Sequence, residues 1–265
     1  MTIAEVIRRI DDGVVMRGVF YALLAASITF VVVDLREMLT TEASMPDIDP
    51  LHDGEPVLPP ALTDGRPASP PVEPASSGEV LRQKMTFELD PGGVLMAEGT
   101  IDPGAGARFA REIEARGEYV KTVQLDSPGG SVDDALSMAA LIREKKLSTK
   151  VAARALCASS CPIVLAGGVQ RMAEKDAIIG VHQVFNGSRE RPSAKQAMSN
   201  VQSTTARIAK FLQQMGIGPG LWLHALETPP DRLYYLSEKE MTEFRLVTQP
   251  VQPPRPAVSS GQAKG

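Results

Sequence analysis

The sequence predicts an α/β domain carried behind a single transmembrane helix. Three features predict it. An apolar run, Val14 to Val33, lies near the N-terminus. Pro-rich stretches on both sides set off about 170 residues, enough for one compact core. Between those stretches, runs of alternating strand-like character follow runs with helical periodicity.

Taken in order, residues 1–13 read as a cytoplasmic N-terminus and 14–33 as a signal-anchor helix. The uninterrupted apolar part, Gly18 to Val33, rises about 24 Å as a helix, and extension to Val14 supplies about 30 Å, the thickness of the hydrocarbon core. Arg17 sits near the end of the run, where its guanidinium can snorkel to the head groups. Arg8, Arg9 and Arg17 hold the N-terminus in the cytoplasm, which puts the remainder in the periplasm or extracytoplasmic space, single-pass and with the lipid bilayer as a partner. A cleavable signal peptide competes with this reading, but no Ala-x-Ala site follows the run. Residues 34–80 read as a Pro-rich linker, because the stretch from Thr40 to Ser77 has no aromatics and little apolar surface to bury. Residues 249–265 read as a disordered tail for the same reason.

Within 81–248, Lys84 to Leu89 and Gly93 to Glu98 flank the turn cluster Asp90-Pro91-Gly92-Gly93 and predict a hairpin. Ala105 to Arg116 and Val132 to Glu144 have helical periodicity, with a short strand at Thr122 to Leu125 between them. Further strands are predicted at Thr149 to Ala153 and Ala177 to Val181. Ser193 to Gln214 lacks internal Pro and Gly, which predicts a long helix ending near Gly216.

Composition excludes several functions. The net charge of -4 comes from mixed Lys, Arg, Asp and Glu, with no basic stripe to follow a phosphate backbone, so nucleic acid is not an expected partner. Two cysteines and three dispersed histidines give no metal-ligand spacing, and neither metal nor cofactor is expected.

Chemistry concentrates in three places. Asp126-Ser127-Pro128-Gly129-Gly130-Ser131-Val132 joins a strand to a helix, where free backbone N–H groups can face an anion, although a tight turn alone would read the same way. Cys157-Ala158-Ser159-Ser160-Cys161-Pro162 opens the next helix, so Ser159 can be a nucleophile or a helix cap. Ile178-Ile179-Gly180-Val181-His182-Gln183 ends a strand in His182, a base or an ordinary packed histidine. Cys157 and Cys161 are four residues apart, about 6 Å along a helix, within reach of a disulfide; buried thiols or a reactive cysteine are the other readings. His224, beside Trp222 and Leu226 in an apolar helix, reads as core.

In content and order, Ser-Pro-Gly-Gly-Ser-Val, the small-residue serine motif and the strand ending in His-Gln resemble the ClpP-like serine proteases. The match runs from about Leu95 to Val247, and the Cys-Ala-Ser-x-Cys pattern is similar to that of membrane-tethered or periplasmic relatives. The resemblance implies a ClpP/crotonase-like spiral of β-β-α units, which the apolar run places behind one transmembrane helix, a homo-oligomer, and a peptide or protein substrate. It implies Ser159 as nucleophile, His182 as general base, Asp231 in Asp231-Arg232-Leu233-Tyr234 as the residue orienting that base, and the backbone amides of Gly130 and Ser160 as oxyanion hole. Cys161 replaces a family Gly, and Val184 replaces the Pro after His-Gln. Those departures leave a second reading open, an inactive interaction module that keeps the fold in the envelope.

Overall fold

The computed structural model describes residues 12–43, 57–63, 66–67, 72–185 and 193–249. The segment before residue 12 and the predicted tail beyond 249 therefore lie outside the described residues, as does His52.

Helix α1 runs from Asp12 to Ala43, ten residues past the predicted end of the apolar run. No Pro or Gly lies between Val33 and Ala43, and Pro46 is the first breaker, so the hydrogen-bond ladder has no reason to stop where the apolar residues do. Its apolar part, Gly13–Arg36, has a mean hydropathy of 2.1 and no buried side chains. This is one N-terminal apolar helix with the length and composition of a membrane span or a signal sequence. It forms a compact unit of its own, separate from the rest of the chain.

In the second unit, β1 (Leu62–Thr63) and β2 (Arg66–Pro67) form a minimal hairpin, and α2 spans Gly78–Arg82 behind the Ser77 cap. Five strands follow in a sheet of order β3-β4-β5-β6-β8: β3 Thr86–Asp90, β4 Val94–Glu98, β5 Thr122–Asp126, β6 Ser148–Val151 and β8 Arg171–Ala173. The predicted hairpin is the antiparallel β3/β4 pair, and all other neighbours in this sheet are parallel. A second sheet, β10-β9-β7, contains β7 Leu156–Ala158, β9 Ile178–Val181 and β10 Tyr234–Tyr235. After β6 the chain thus places one strand in the small sheet, a helix, a strand in the large sheet and again one in the small sheet.

Parallel neighbours require crossovers, and helices α3 (Ala105–Arg116), α4 (Val132–Glu144) and α5 (Cys161–Gly167) provide them. Their apolar faces bury Phe109, Ile113, Met138, Ile142 and Leu165 in one core with Leu95, Val123 and Leu125 of the sheet. The next helix, α6 (Ala194–Gln214), presents only Ile208 and Leu212 as fully buried residues, and α7 (Pro219–Glu227) and α8 (Glu238–Glu243) close the domain.

The predicted linker is where structure and sequence expectation differ most. Val57 and Leu58 pack with Leu81 against Leu156, Ala158, Ile178, Leu233 and Tyr235, so this part of the predicted linker lies on the domain. Averaged composition hid Val57 and Leu58 among the prolines. The two described stretches, 57–63 and 72–77, are called the strap below.

Arg171 ties the C-terminal end of the domain to β8. It is 5% exposed, and its guanidinium donates to the carbonyls of Leu246 at 2.9 Å, Arg245 at 2.9 Å and Gly168 at 3.2 Å. Burial, reinforced by the Arg143 charge, pushes its pKa down to about 10, so it remains cationic at neutral pH. Arg171→Ala strands these carbonyls and is expected to cost about 3 kcal/mol, since hydrogen bonds to a buried charge lie at the upper end of the range. Chemical denaturation followed by the fluorescence of Trp222, the sole tryptophan, measures this.

Candidate active site

The site is assembled where the large and small sheets meet. Beyond β5, the backbone of Ser127 continues as a parallel neighbour of Cys157: Ser127 N–H donates to Leu156 O at 2.6 Å and Ala158 N–H to Ser127 O at 3.0 Å. The loop then bonds to Ile101, whose N–H donates to Gly129 O at 2.8 Å and whose carbonyl accepts from Ser131 N–H at 2.7 Å. These bonds bring the Gly-Gly turn against the serine motif. A Cβ on Gly129 would lie 2.6 Å from both Ala158 O and Ser159 Cβ, and one on Gly130 would lie 2.3 Å from Ile101 O. Both positions also have positive φ, 94° and 141°, so glycine is required twice over.

Ser159 occupies the sharp turn between β7 and α5 at φ 59°, a left-handed conformation that costs a non-glycine residue of order 1–3 kcal/mol. The turn is held by Ser159 N–H donating to Gly180 O at 3.0 Å and by a disulfide joining Cys157 to Cys161, with Cα atoms 5.1 Å apart. Of the three cysteine readings, the bridged one is what the structure contains. It brackets Ser159 on both sides.

His182 follows β9 and is 7% exposed. Its Nε2 lies 2.8 Å from Ser159 Oγ, and its Nδ1 lies 2.9 Å from the Pro230 carbonyl. A carbonyl can only accept, so Nδ1 carries the proton and Nε2 of the neutral ring receives the Ser159 hydroxyl hydrogen. Burial lowers the His182 pKa, opposed by the Pro230 hydrogen bond and by the Asp231 charge. The ring is therefore neutral, and able to accept a proton, at pH 7.

The predicted residues do not all converge in the same way. Ser159 and His182 meet directly, but Asp231 is exposed in a turn and makes no hydrogen bond to the ring. The Nδ1 hydrogen bond goes instead to the Pro230 main chain, and Asp231 acts on the imidazole through its charge. A carbonyl leaves no side-chain signal in a sequence. Gly130 N–H and Ser160 N–H have no hydrogen-bond acceptor among the described residues. The Ser160 hydroxyl is buried without a partner there as well, so Ser159 alone of the two serines addresses the histidine. His224 stacks on Tyr234 with ring centroids 3.8 Å apart, in the packing role expected of it.

Beside Ser159 opens a cavity of about 410 Å³. Its lining combines the buried apolar residues Ile163, Ile208, Leu212, Leu221 and Ala225 with buried Ser160 and His182, whereas Asp133 and Asn200 are exposed. Beneath the loops, Asp126 Oδ1 accepts from Leu156 N–H at 2.8 Å, and burial raises its carboxyl pKa against the hydrogen bonds from Ser76 and Leu156.

The disulfide closes a very short loop, for which chain entropy gives roughly 2 kcal/mol. Replacing both Cys157 and Cys161 with Ala is expected to lower the unfolding free energy by that amount, measured by Trp222 fluorescence, and to make stability insensitive to reductant.

No family model matches the sequence, and no curated protein matches it. Among solved structures, the chain is similar to an Asn-to-Asp mutant of ClpP1 from Listeria monocytogenes, with a TM-score of 0.49 and 15% identity over 61% of this chain and 92% of that one.

Proposed function

We propose that this chain is a serine hydrolase, a peptidase by preference, anchored in a membrane by α1 with its domain outside the cytoplasm. The observation that carries the proposal is the 2.8 Å contact between Ser159 Oγ and a buried His182 whose tautomer is fixed by a carbonyl on its far side.

His182 Nε2 removes the proton as Ser159 Oγ attacks the acyl carbon, and the N–H groups of Gly130 and Ser160 donate to the oxygen that gains charge. Preorganised donors of this kind are worth about 3 to 4 kcal/mol each to the transition state. The imidazolium, held by Pro230 and favoured by the Asp231 charge, returns its proton to the leaving amine. Water then attacks the acyl-enzyme, with His182 again acting as base. The strained Ser159 turn, the two glycines and the disulfide set this geometry before substrate arrives, so little reorganisation is left to the reaction step. The apolar cavity next to the nucleophile suits a peptide with a large apolar side chain adjoining the scissile carbonyl. Extracytoplasmic placement is supported by the buried disulfide, which persists in oxidising compartments.

Fluorophosphonate labelling of the full-length protein, with the adduct located by mass spectrometry, tests the chemistry. Modification at Ser159 is expected in wild type and in Ser160→Ala, and is expected to be lost in Ser159→Ala and His182→Ala. The labelling rate should hold steady as pH drops through the ordinary imidazole range and fall only at lower pH, because burial depresses the His182 midpoint. Asp231→Asn, which removes a charge favouring imidazolium, should move that midpoint lower still. A folded wild-type protein that resists labelling at every pH would instead favour the inactive interaction module.

Topology is tested separately. A phosphatase that needs disulfides to fold, fused after Gly265, is expected to be active; an inactive but intact fusion would place the domain in the cytoplasm.

A further inference from the structure

The strap touches the segments bearing both proposed reacting groups, at two places far apart in the chain. At one end it extends the small sheet. Leu233 N–H donates to Pro59 O at 3.0 Å, Ala61 N–H to Leu233 O at 2.7 Å, Arg232 Nη1 to Pro60 O at 3.3 Å, and the Tyr235 hydroxyl to the Leu58 carbonyl. These acceptors and donors bracket the residues immediately after Pro230, whose carbonyl holds His182. Arg232 N–H donates to Pro229 O at 3.1 Å, closing the turn on which Pro230 sits.

At the other end the strap holds the serine side. Ser76 Oγ lies 2.7 Å from Asp126 Oδ2 and 2.7 Å from Glu98 Oε1. Asp126 precedes the Ser127–Gly130 turn, and its other oxygen holds Leu156 at the start of the strand leading to Ser159. Ala75 N–H donates to Arg154 O at 2.9 Å, and Arg154 Nε donates to Glu73 O at 3.0 Å. No strap residue lines the cavity beside Ser159.

We infer that the strap is a positioning element for the Ser159–His182 pair: its docking on Arg232–Tyr235 fixes the Pro230 carbonyl, and its Ser76 contact fixes the Asp126 hub beneath the two loops. The inference rests on the hydrolase reading for its catalytic consequence, but its structural content, control of the His182 environment, does not. The contacts are directional and local. A segment acting only as an apolar cover would need Val57 and Leu58 against the hydrophobic cluster and nothing more. The strap instead makes four hydrogen bonds to Arg232, Leu233 and Tyr235, close behind the Pro230–Asp231 turn. Geometry set from outside the reacting groups is a sensitive quantity, since misplacement by about 1 Å can cost on the order of a hundredfold in rate.

The test uses the full-length protein in detergent micelles. The variants are Leu58→Asp, which expels the strap from its apolar seat, and the volume-conserving control Leu58→Met. A third, the double variant Arg232→Met with Tyr235→Phe, removes two strap hydrogen bonds and keeps the apolar cover intact. Three quantities are read: amide exchange at Ala61 and Leu233, the NMR titration of the His182 imidazole, and the fluorophosphonate labelling rate at Ser159. In Leu58→Asp, faster exchange is expected to accompany an upward shift of the His182 midpoint toward the ordinary imidazole value as the ring gains water. Labelling should slow by at least about tenfold. The double variant should move all three readouts the same way and Leu58→Met none of them. Faster exchange with an unchanged His182 midpoint, in either strap variant, overturns the inference. If Leu58→Asp does not fold, the double variant decides. If wild type is never labelled, the hydrolase reading falls and the His182 titration alone judges the strap.

Discussion

Everything at the candidate site depends on how closely two backbones approach: the turn after β5 lies against the turn after β7 with no side chain between them. Ser127 and Cys157 pair as if the two sheets were continuous, and Gly129 leaves no room for even a methyl group beside Ser159. That approach leaves the amides of Gly130 and Ser160 without an acceptor among the described residues, and it aims the Ser159 side chain across the sheet junction toward His182 at the end of β9. The requirement for glycine is thus steric and conformational at once, and a left-handed serine next to it is the strained counterpart. The disulfide and the Asp126 hydrogen bonds make this arrangement rigid by closing it from below and from both flanks.

How much was legible in the sequence follows from the range of the forces involved. Helices α3 and α4 begin and end where periodicity puts them, Ala105–Arg116 and Val132–Glu144, because helical periodicity is a local property. β7, β8 and β10 have two or three residues each, too few to show any period, and they exist only because neighbouring strands supply their hydrogen bonds. Ser159 and His182 were visible as residue types in a characteristic order. Pro230 was not, since its contribution is a main-chain oxygen that any residue could offer. The strap failed to show for a different reason: two apolar residues, Val57 and Leu58, decide its fate, and a composition argument over some forty residues averages them away.

The exchange of a carboxylate for a carbonyl behind His182 alters the electrostatics of the pair. A carboxylate bonded to Nδ1 would stabilise imidazolium strongly; a neutral carbonyl fixes orientation and tautomer and does far less for the charge. Burial then dominates, and His182 stays neutral to lower pH. Asp231, in solvent, supplies a weak and screened attraction. In the proposed hydrolase such a base is more readily available and, once protonated, more readily surrenders its proton to a leaving group.

The strap also sets the order of events in biogenesis. The Tyr235–Leu58 contact joins residues 177 positions apart, and the Arg171–Thr248 contacts close another 77. Long-range closures are slow because loop entropy is lost before the contact forms. During synthesis Leu58 emerges early and must wait for nearly the whole domain to follow before its partner exists. The Pro230 turn is consequently tied down only after Tyr235 has emerged, and a chain truncated before that point carries Ser159 and His182 without the strap seated beside them.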